Sequence, residues 1–244
     1  MPFIQDLRTK QDGAGRNNYT PTQLQKDAAA LLPTQQEIIM KEILTRASLL
    51  HENAQVQYNN LPTILRERDN VSNDIAAAGL REDVSVIGGV TEMICEIGLQ
   101  AAAPNRYAHL PNDWKWIGDY AITGLPFNLY ISVKSYYARE RLIASGTGQG
   151  AAPVIGYGLF NDEGEWSPKR VHQYRHRGFV AIYMPAPLYT ALSRKAGSGH
   201  PATDILNIYN RPLLRDINDF ANDIGNVVQQ HPGPNQLIID LQRF

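Results

Sequence analysis

The sequence predicts an α/β fold, a central mixed β-sheet flanked by helices and preceded by extra N-terminal helices. Three observations predict it. Apolar residues recur at helical spacing as far as Ala103, the texture changes after Pro111 to short β-prone runs, and a helical stretch with one final strand closes the chain. Helices, then a mixed β and α centre, then a helix and a strand are the element order of layers packed on one sheet.

Residues 1–18 are polar and carry Gly13 and Gly15, so they read as a flexible tail without the apolar region of a signal peptide. Residues 21–59 read as helical, capped by Thr20 and interrupted at 33–35, with Ile38, Ile39, Ile43, Leu44, Ala47 and Leu50 at helical spacing. A second helical piece over 64–80 carries the run Arg66, Glu67, Arg68, Asp69, which suits a solvated face or, alternatively, a phosphate contact. Gly88 and Gly89 then read as a break. A helix follows over 90–103, with Val90, Met93, Ile94 and Ile97 on one side and Glu92, Glu96 and Gln100 one turn apart on another, ended by Pro104.

Short strands are expected over 116–122 and 129–133, joined as a hairpin through Thr123-Gly124-Leu125-Pro126. A short helix over 138–144 and a glycine-rich loop over 145–150 follow. Strands over 154–160 and 179–184 flank the turn-forming segment 161–168. A loop over 198–201, a mainly helical stretch over 206–228 despite Pro212, and a strand over 237–241 complete the reading. The expectation is a single domain over 1–244, with a helical region at 19–83, a core at 84–190 and a C-terminal helix and strand at 191–244.

With 244 residues and 43% hydrophobic content the chain can bury one sizeable core. No run reaches the roughly eighteen uninterrupted apolar residues of a membrane span, so a soluble, cytoplasmic protein without a membrane partner is expected. The lone Cys95 cannot form an internal disulfide or a cysteine zinc cluster and reads as core. A formal net charge of −1 argues against a protein that coats nucleic acid indifferently, since such binding rests on many basic contacts to phosphate. It permits an enzyme that concentrates positive charge in one cleft.

Several chemistries are poorly served. His172 and His176 lack the intervening glutamate of a helical zinc protease, and His109 with Asn112 lacks the second histidine of an HNH nuclease. Gly146, Gly148 and Gly150 lack the third-glycine spacing of a dinucleotide site and the Lys-Ser/Thr end of a P-loop, so no small-molecule cofactor is expected.

The segment richest in chemistry is Gly118-Asp119-Tyr120 followed by Asn128-Leu129-Tyr130-Ile131-Ser132-Val133-Lys134-Ser135. Strand side chains alternate, so Ser132 and Lys134 point one way while Ile131 and Val133 point into the opposite layer. The preceding strand can carry Asp119 across the hairpin, bringing a carboxylate and an ammonium to one sheet edge. Phosphodiester hydrolysis uses such a pair, with the carboxylate holding Mg2+ and the cation orienting water and offsetting phosphate charge. The plainer alternative is an aspartate capping a turn and a lysine snorkelling from a strand.

The pattern resembles the PD-(D/E)xK nuclease superfamily. Gly118-Asp119 stands for the PD element and Ser132-Val133-Lys134 for (D/E)xK, and the resemblance covers about residues 90–160 with the helices before and after. It implies a restriction-endonuclease-like core, a catalytic group of Asp119, Lys134 and Glu96, with Ser132 hydrogen bonding beside them, and Mg2+ as cofactor. The metal would take Asp119, the backbone carbonyl of Val133 and a glutamate. Ser132 departs from the pattern, because a carboxylate is expected there. Some family members recruit a glutamate about a dozen residues on, where this chain has Gly146, Thr147 and Gly148. Glu96 on the preceding helix and Glu140 on the following one therefore remain the two donors. The implied activity is a type II restriction endonuclease that cuts duplex DNA at one sequence, leaving 5′-phosphate and 3′-hydroxyl ends, and works as a homodimer. A structure-specific repair nuclease or resolvase of the same superfamily, and a non-catalytic DNA-binding protein, are the alternatives.

Ser135, Tyr136, Arg139 and Arg141 offer phosphate contacts beside this site. Lys169, Arg170, His172, Gln173, Arg175 and Arg177 form the densest basic cluster and the candidate recognition segment, since arginine and glutamine pair with guanine and adenine edges. A charged hairpin edge is the other reading of that cluster. Helices within 20–80 or 206–228 could supply a dimer surface.

Overall fold

The computed structural model describes residues 1–15, 20–135, 153–194, 200–230 and 237–243. Its contacts group as two compact units, Met1–Met93 and Ile94–Phe244, where the sequence reading treats the chain as one domain.

The first unit is helical and begins earlier than expected. In place of a flexible tail, α1 spans Pro2–Gly13, with Pro2 in its first turn and Phe3, Leu7 and Gln11 buried. Those three lie one turn apart, so a narrow stripe suffices to dock a helix whose composition is otherwise polar. Gln11 Nε2 donates to Gln35 Oε1 at 3.0 Å and to the Arg81 carbonyl at 2.8 Å, which satisfies a buried amide. Helix α2 (Gln23–Ala30) is capped by Thr22 rather than Thr20, and α3 (Gln35–Arg46) by Thr34. Each threonine forms a capping box, with Gln25 and with Glu37, so the start signal was a Thr-x-x-Gln/Glu spacing. The hydrogen bonds from Thr34 hold the Glu37 carboxyl below its ordinary pKa. Helices α4 (Ala54–Asn59) and α5 (Leu61–Ala77) follow. Ile38, Ile39, Met40, Ile43, Leu61, Ile64, Val71 and Ile75 make the core.

The charged run on α5 is a solvated face only in part. The Arg66 side chain is exposed, but Arg68 is 1% exposed and lies 3.0 Å from the Glu82 carboxylate, which also accepts from Ser72 Oγ.

Helix α6 spans Val84–Ala102, and the division between the units falls within it. It runs through Gly88 and Gly89, correcting the expected break. A helical glycine costs about 1 kcal/mol relative to alanine, which burial of Val86, Val90 and Ile94 on the same helix outweighs. At Gly89 a Cβ would stand 3.2 Å from Gln36 Cγ, tighter than ordinary packing. By length and composition alone α6 could cross a membrane, yet it carries Glu92 and Glu96 at mid-helix and buries Thr91, Cys95 and Leu99. Cys95 is buried, as its reading as a core residue expected.

The second unit is built on a six-stranded mixed sheet whose strands lie in chain order. They are β1 (Tyr107–His109), β2 (Tyr120–Ile122), β3 (Leu129–Lys134), β4 (Val154–Gly158), β5 (Phe179–Met184) and β6 (Leu214–Asp216). β1, β2 and β3 pair antiparallel, and β3 through β6 pair parallel. The hairpin between β2 and β3 is therefore as expected. β2 is shorter than the predicted 116–122, because its first residues form turns after a 3-10 helix at Asn112–Trp114. Parallel pairing of β4 with β5 requires a crossover, and helix α7 (Pro168–His176) supplies it, so the basic segment is a helix and not a hairpin edge.

Helices α7 and α8 (Ala186–Leu192) cover one sheet face, where Val154, Trp166, Val171, Tyr174, Ile182, Met184, Leu188 and Leu214 form one cluster. On the opposite face Phe220 of α9 (Phe220–Val227) packs edge-on against Tyr157 at 4.8 Å and Tyr183 at 5.0 Å. The stretch 206–228, expected to be mainly helical, thus holds β6, a 3-10 turn and only the short α9. The run Leu213-Leu214, fully buried, fits an inner strand as well as a helix, and periodicity cannot separate the two. Strands β7 (Val228–Gln230) and β8 (Leu237–Ile239) form a separate antiparallel pair.

Asp219, at the start of α9, has its pKa raised by partial burial and by Asp223 and Asp216. A carboxyl with a higher pKa folded than unfolded weakens the fold while ionised, and that penalty fades as pH falls through the raised value. Asp219→Asn, which keeps a good helix-capping side chain, is expected to raise the melting temperature at neutral pH. The gain should disappear as pH falls toward 3.8, the ordinary aspartate value, in thermal melts across pH.

Candidate active site

The site forms where β3 outruns β2. Tyr120, Ala121 and Ile122 pair with Ile131, Tyr130 and Leu129, and the Asp119 N–H still donates to the Ile131 carbonyl at 2.7 Å. Beyond that point β2 offers no further backbone partner, while the other edge of β3 is taken by β4 through Lys134, which lies opposite Gly158. Val133 is left with an N–H and a carbonyl facing the same open edge. The Asp119 side chain folds back to fill it, Oδ2 accepting from the Val133 N–H at 2.6 Å. Lys134 Nζ donates to the Val133 carbonyl at 2.8 Å and to Asp119 Oδ2 at 3.1 Å. A carboxylate, a peptide group and an ammonium thus close a ring at a sheet edge, with Asp119 5% and Lys134 8% exposed.

Burying either charge alone would be costly, so each partner depends on the other. A second cation stands near: Lys115 Nζ lies 4.0 Å from Asp119 Oδ1 with its side chain 37% exposed. One carboxylate therefore sits between a buried and a solvent-facing ammonium. Lys115 was not singled out in the sequence, although its position one helical turn before Asp119 was a usable signal.

Two glycines permit this geometry. A Cβ on Gly118 would come within 2.8 Å of the Ile131 carbonyl oxygen, and that backbone cannot swing away as a side chain could. A Cβ on Gly158 would meet the Lys134 carbonyl oxygen at 2.5 Å and collide with the Phe160 ring. Gly118→Ala is expected to destabilise by about 1–3 kcal/mol, as an overpacked core does, and to displace Asp119. A thermal melt together with activity per folded molecule would check both effects. An unchanged melting temperature would mean that the turn has slack.

The remaining sequence-predicted residues fall in three groups. Ser132 is fully buried on the face of Lys134, and among the described residues its Oγ has no hydrogen-bond partner. Glu96 is brought to Tyr107, whose hydroxyl oxygen lies 3.0 Å from Glu96 Oε1 and 3.1 Å from Gln100 Oε1. Burial, reinforced by the Glu96 carboxylate, pushes the Tyr107 hydroxyl pKa well up. The Tyr107 ring in turn meets that of Tyr120, the neighbour of Asp119, at 6.0 Å. Glu140, Tyr136, Arg139 and Arg141 lie outside the described residues, as do the expected 138–144 helix and the glycine-rich loop. Ser135 is 8% exposed and so offers little surface to a phosphate.

The basic segment is displayed along α7. Val171 and Tyr174 are its buried anchors, Lys169, His172, Gln173, His176 and Arg177 are exposed, and Arg175 is partly exposed. Arg170 is engaged within the protein, donating to the Gly164 carbonyl at 2.8 Å.

Asp119 Oδ2 and the Val133 carbonyl are hard oxygen donors converging on one cation, the Lys134 ammonium. Such donors suit Mg2+, which is commonly held by one or two carboxylates and keeps several waters. Among the described residues no group of three or more His, Cys, Asp or Glu gathers as a metal cluster. Asp119 and the Val133 carbonyl fit as two of the oxygen ligands of one Mg2+.

No family model matches the chain, and no curated protein matches it. Among solved structures it is similar to one described as a restriction endonuclease PspGI–substrate DNA complex. The similarity has a TM-score of 0.48 at 14% identity and covers 80% of this chain and 92% of that one.

Proposed function

We propose that the chain is a Mg2+-dependent endonuclease that cuts duplex DNA at a specific sequence, a type II restriction enzyme built on a restriction-endonuclease-like core. The observation that carries this reading is the buried ring of Asp119, the Val133 peptide and Lys134, with its distances of 2.6, 2.8 and 3.1 Å. Asp119 and the Val133 carbonyl would hold the metal, with Glu96 or Glu140 as the further carboxylate. When bound, Mg2+ supplies Lewis-acid polarisation of the phosphate and a more acidic water. Lys134 orients the attacking water and balances the charge growing on the phosphate oxygens. Ser132 lends a hydroxyl beside Lys134. In-line attack on this arrangement leaves 5′-phosphate and 3′-hydroxyl ends.

Recognition is assigned to α7, whose exposed Lys169, His172, Gln173 and Arg177, with Arg175, can reach base edges or phosphates. Tyr136, Arg139 and Arg141 would serve phosphate positioning. Two copies related by a two-fold axis would cut both strands of a symmetric site.

One observation favours a second reading. No three-carboxylate cluster gathers among the described residues, and a DNA-binding protein could keep Asp119 and Lys134 as a structural ion pair. A panel of long duplex, branched and mismatched DNAs, incubated with and without Mg2+, separates the cases. Discrete duplex fragments support the restriction enzyme, cutting confined to branched or mismatched DNA supports a repair nuclease or resolvase, and Mg2+-indifferent binding supports the second reading.

A further inference from the structure

Two of the three tryptophans of the chain stand in solvent. Trp114 is 53% and Trp116 61% exposed, while Trp166 is 1% exposed. They flank Lys115, whose ammonium lies 4.0 Å from Asp119 Oδ1. The turn that holds all three is well defined: the Trp114 N–H donates to the Pro111 carbonyl at 2.8 Å and the Ile117 N–H to the Trp114 carbonyl at 2.9 Å. The indoles are therefore presented by an ordered turn. Large aromatic groups left in water forfeit a hydrophobic gain that burial would give them, so two of them on one hydrogen-bonded turn point to a partner.

From this juxtaposition we infer that Trp114 and Trp116 stack on bases unpaired or unstacked beside the scissile phosphate. The inference rests on the nuclease reading and extends it to how DNA is gripped. Neighbouring Cα atoms are about 3.8 Å apart, and nucleotides rise about 3.4 Å along a strand. A phosphate held at Asp119 and Lys134 thus has its flanking nucleotides within reach of side chains one residue from Lys115. Lys115 supplies positive charge for the adjoining phosphate, and an indole face accepts any base, since every base has a π-face. Indoles of this kind can also wedge between base steps and unstack them.

The test uses an end-labelled duplex carrying one unpaired base and the matched duplex without it, both in the absence of metal so that binding is read apart from cleavage. Label anisotropy reports binding, and indole emission reports stacking, with buried Trp166 as the internal reference. The expected result is quenching on binding that is reduced in Trp114→Ala and in Trp116→Ala. Each variant should weaken binding of the unpaired-base duplex by about 5- to 100-fold and leave the melting temperature unchanged. Binding without quenching, or with equal affinity in both variants, overturns the stacking role while the nuclease reading stands. Failure to bind any DNA overturns both. Quenching that grows with protein concentration alone, and is lost in the variants, makes the pair a surface between copies of the chain and also overturns the inference.

Discussion

Lys134→Ala is expected to lower Mg2+-dependent DNA cleavage by about 100- to 10,000-fold, the range found when a positioned acid–base or electrostatic group is removed. The same substitution strips Asp119 of its buried partner, so a loss of fold could imitate a loss of catalysis. The double variant Asp119→Asn with Lys134→Met separates the two. It removes both charges, and asparagine keeps an oxygen for the Val133 N–H, so stability should recover relative to Lys134→Ala while cleavage stays absent. Recovery of both would mean that the ion pair only supports the sheet edge.

Glu82→Ala is expected to cost about 3–5 kcal/mol of stability, the penalty of leaving one member of a buried ion pair unmatched. Arg68 is 1% exposed and the Glu82 side chain 7%, so solvent screens the pair little. Ser72 would lose its acceptor at the same time. For a chain of this length the melting temperature should fall by about 6–20 °C if unfolding is a single transition. Replacing Arg68 and Glu82 together with apolar residues of similar volume should recover much of the loss, because the penalty is the orphaned charge. A fall of a degree or less in Glu82→Ala would show that water reaches Arg68.

The sheet centre was legible from the sequence because its signals are local. Alternation over Leu129–Lys134 fixed which side chains share a face, and Thr123-Gly124-Leu125-Pro126 fixed the β2–β3 connection. The Asp119–Lys134 contact followed from those two facts. Other elements were hidden by competition between levels. Polar composition concealed α1, whose docking needs only Phe3, Leu7 and Gln11 on one stripe. Gly88 and Gly89 look like breakers in isolation, but neighbouring buried residues hold α6 through them. A basic segment between two strands gave no sign whether they ran parallel, and that choice made it a crossover helix. Trp116 was missed because the turn carrying it had been read as the start of β2, and Trp114 and Lys115 fall just before that expected strand, in a 3-10 helix and turn that no local signal marked. The glutamate that would complete a metal site depends on how helices pack beside the hairpin, which local spacing does not encode.

The most direct test of the central claim is gel electrophoresis of a long duplex DNA after incubation with Mg2+ and the wild-type chain, Lys134→Ala or Asp119→Asn, each shown to be folded. Discrete fragments dependent on Mg2+ are expected from the wild type alone. The same fragments from folded Lys134→Ala and Asp119→Asn, or none from the wild type across varied DNA, would contradict that claim.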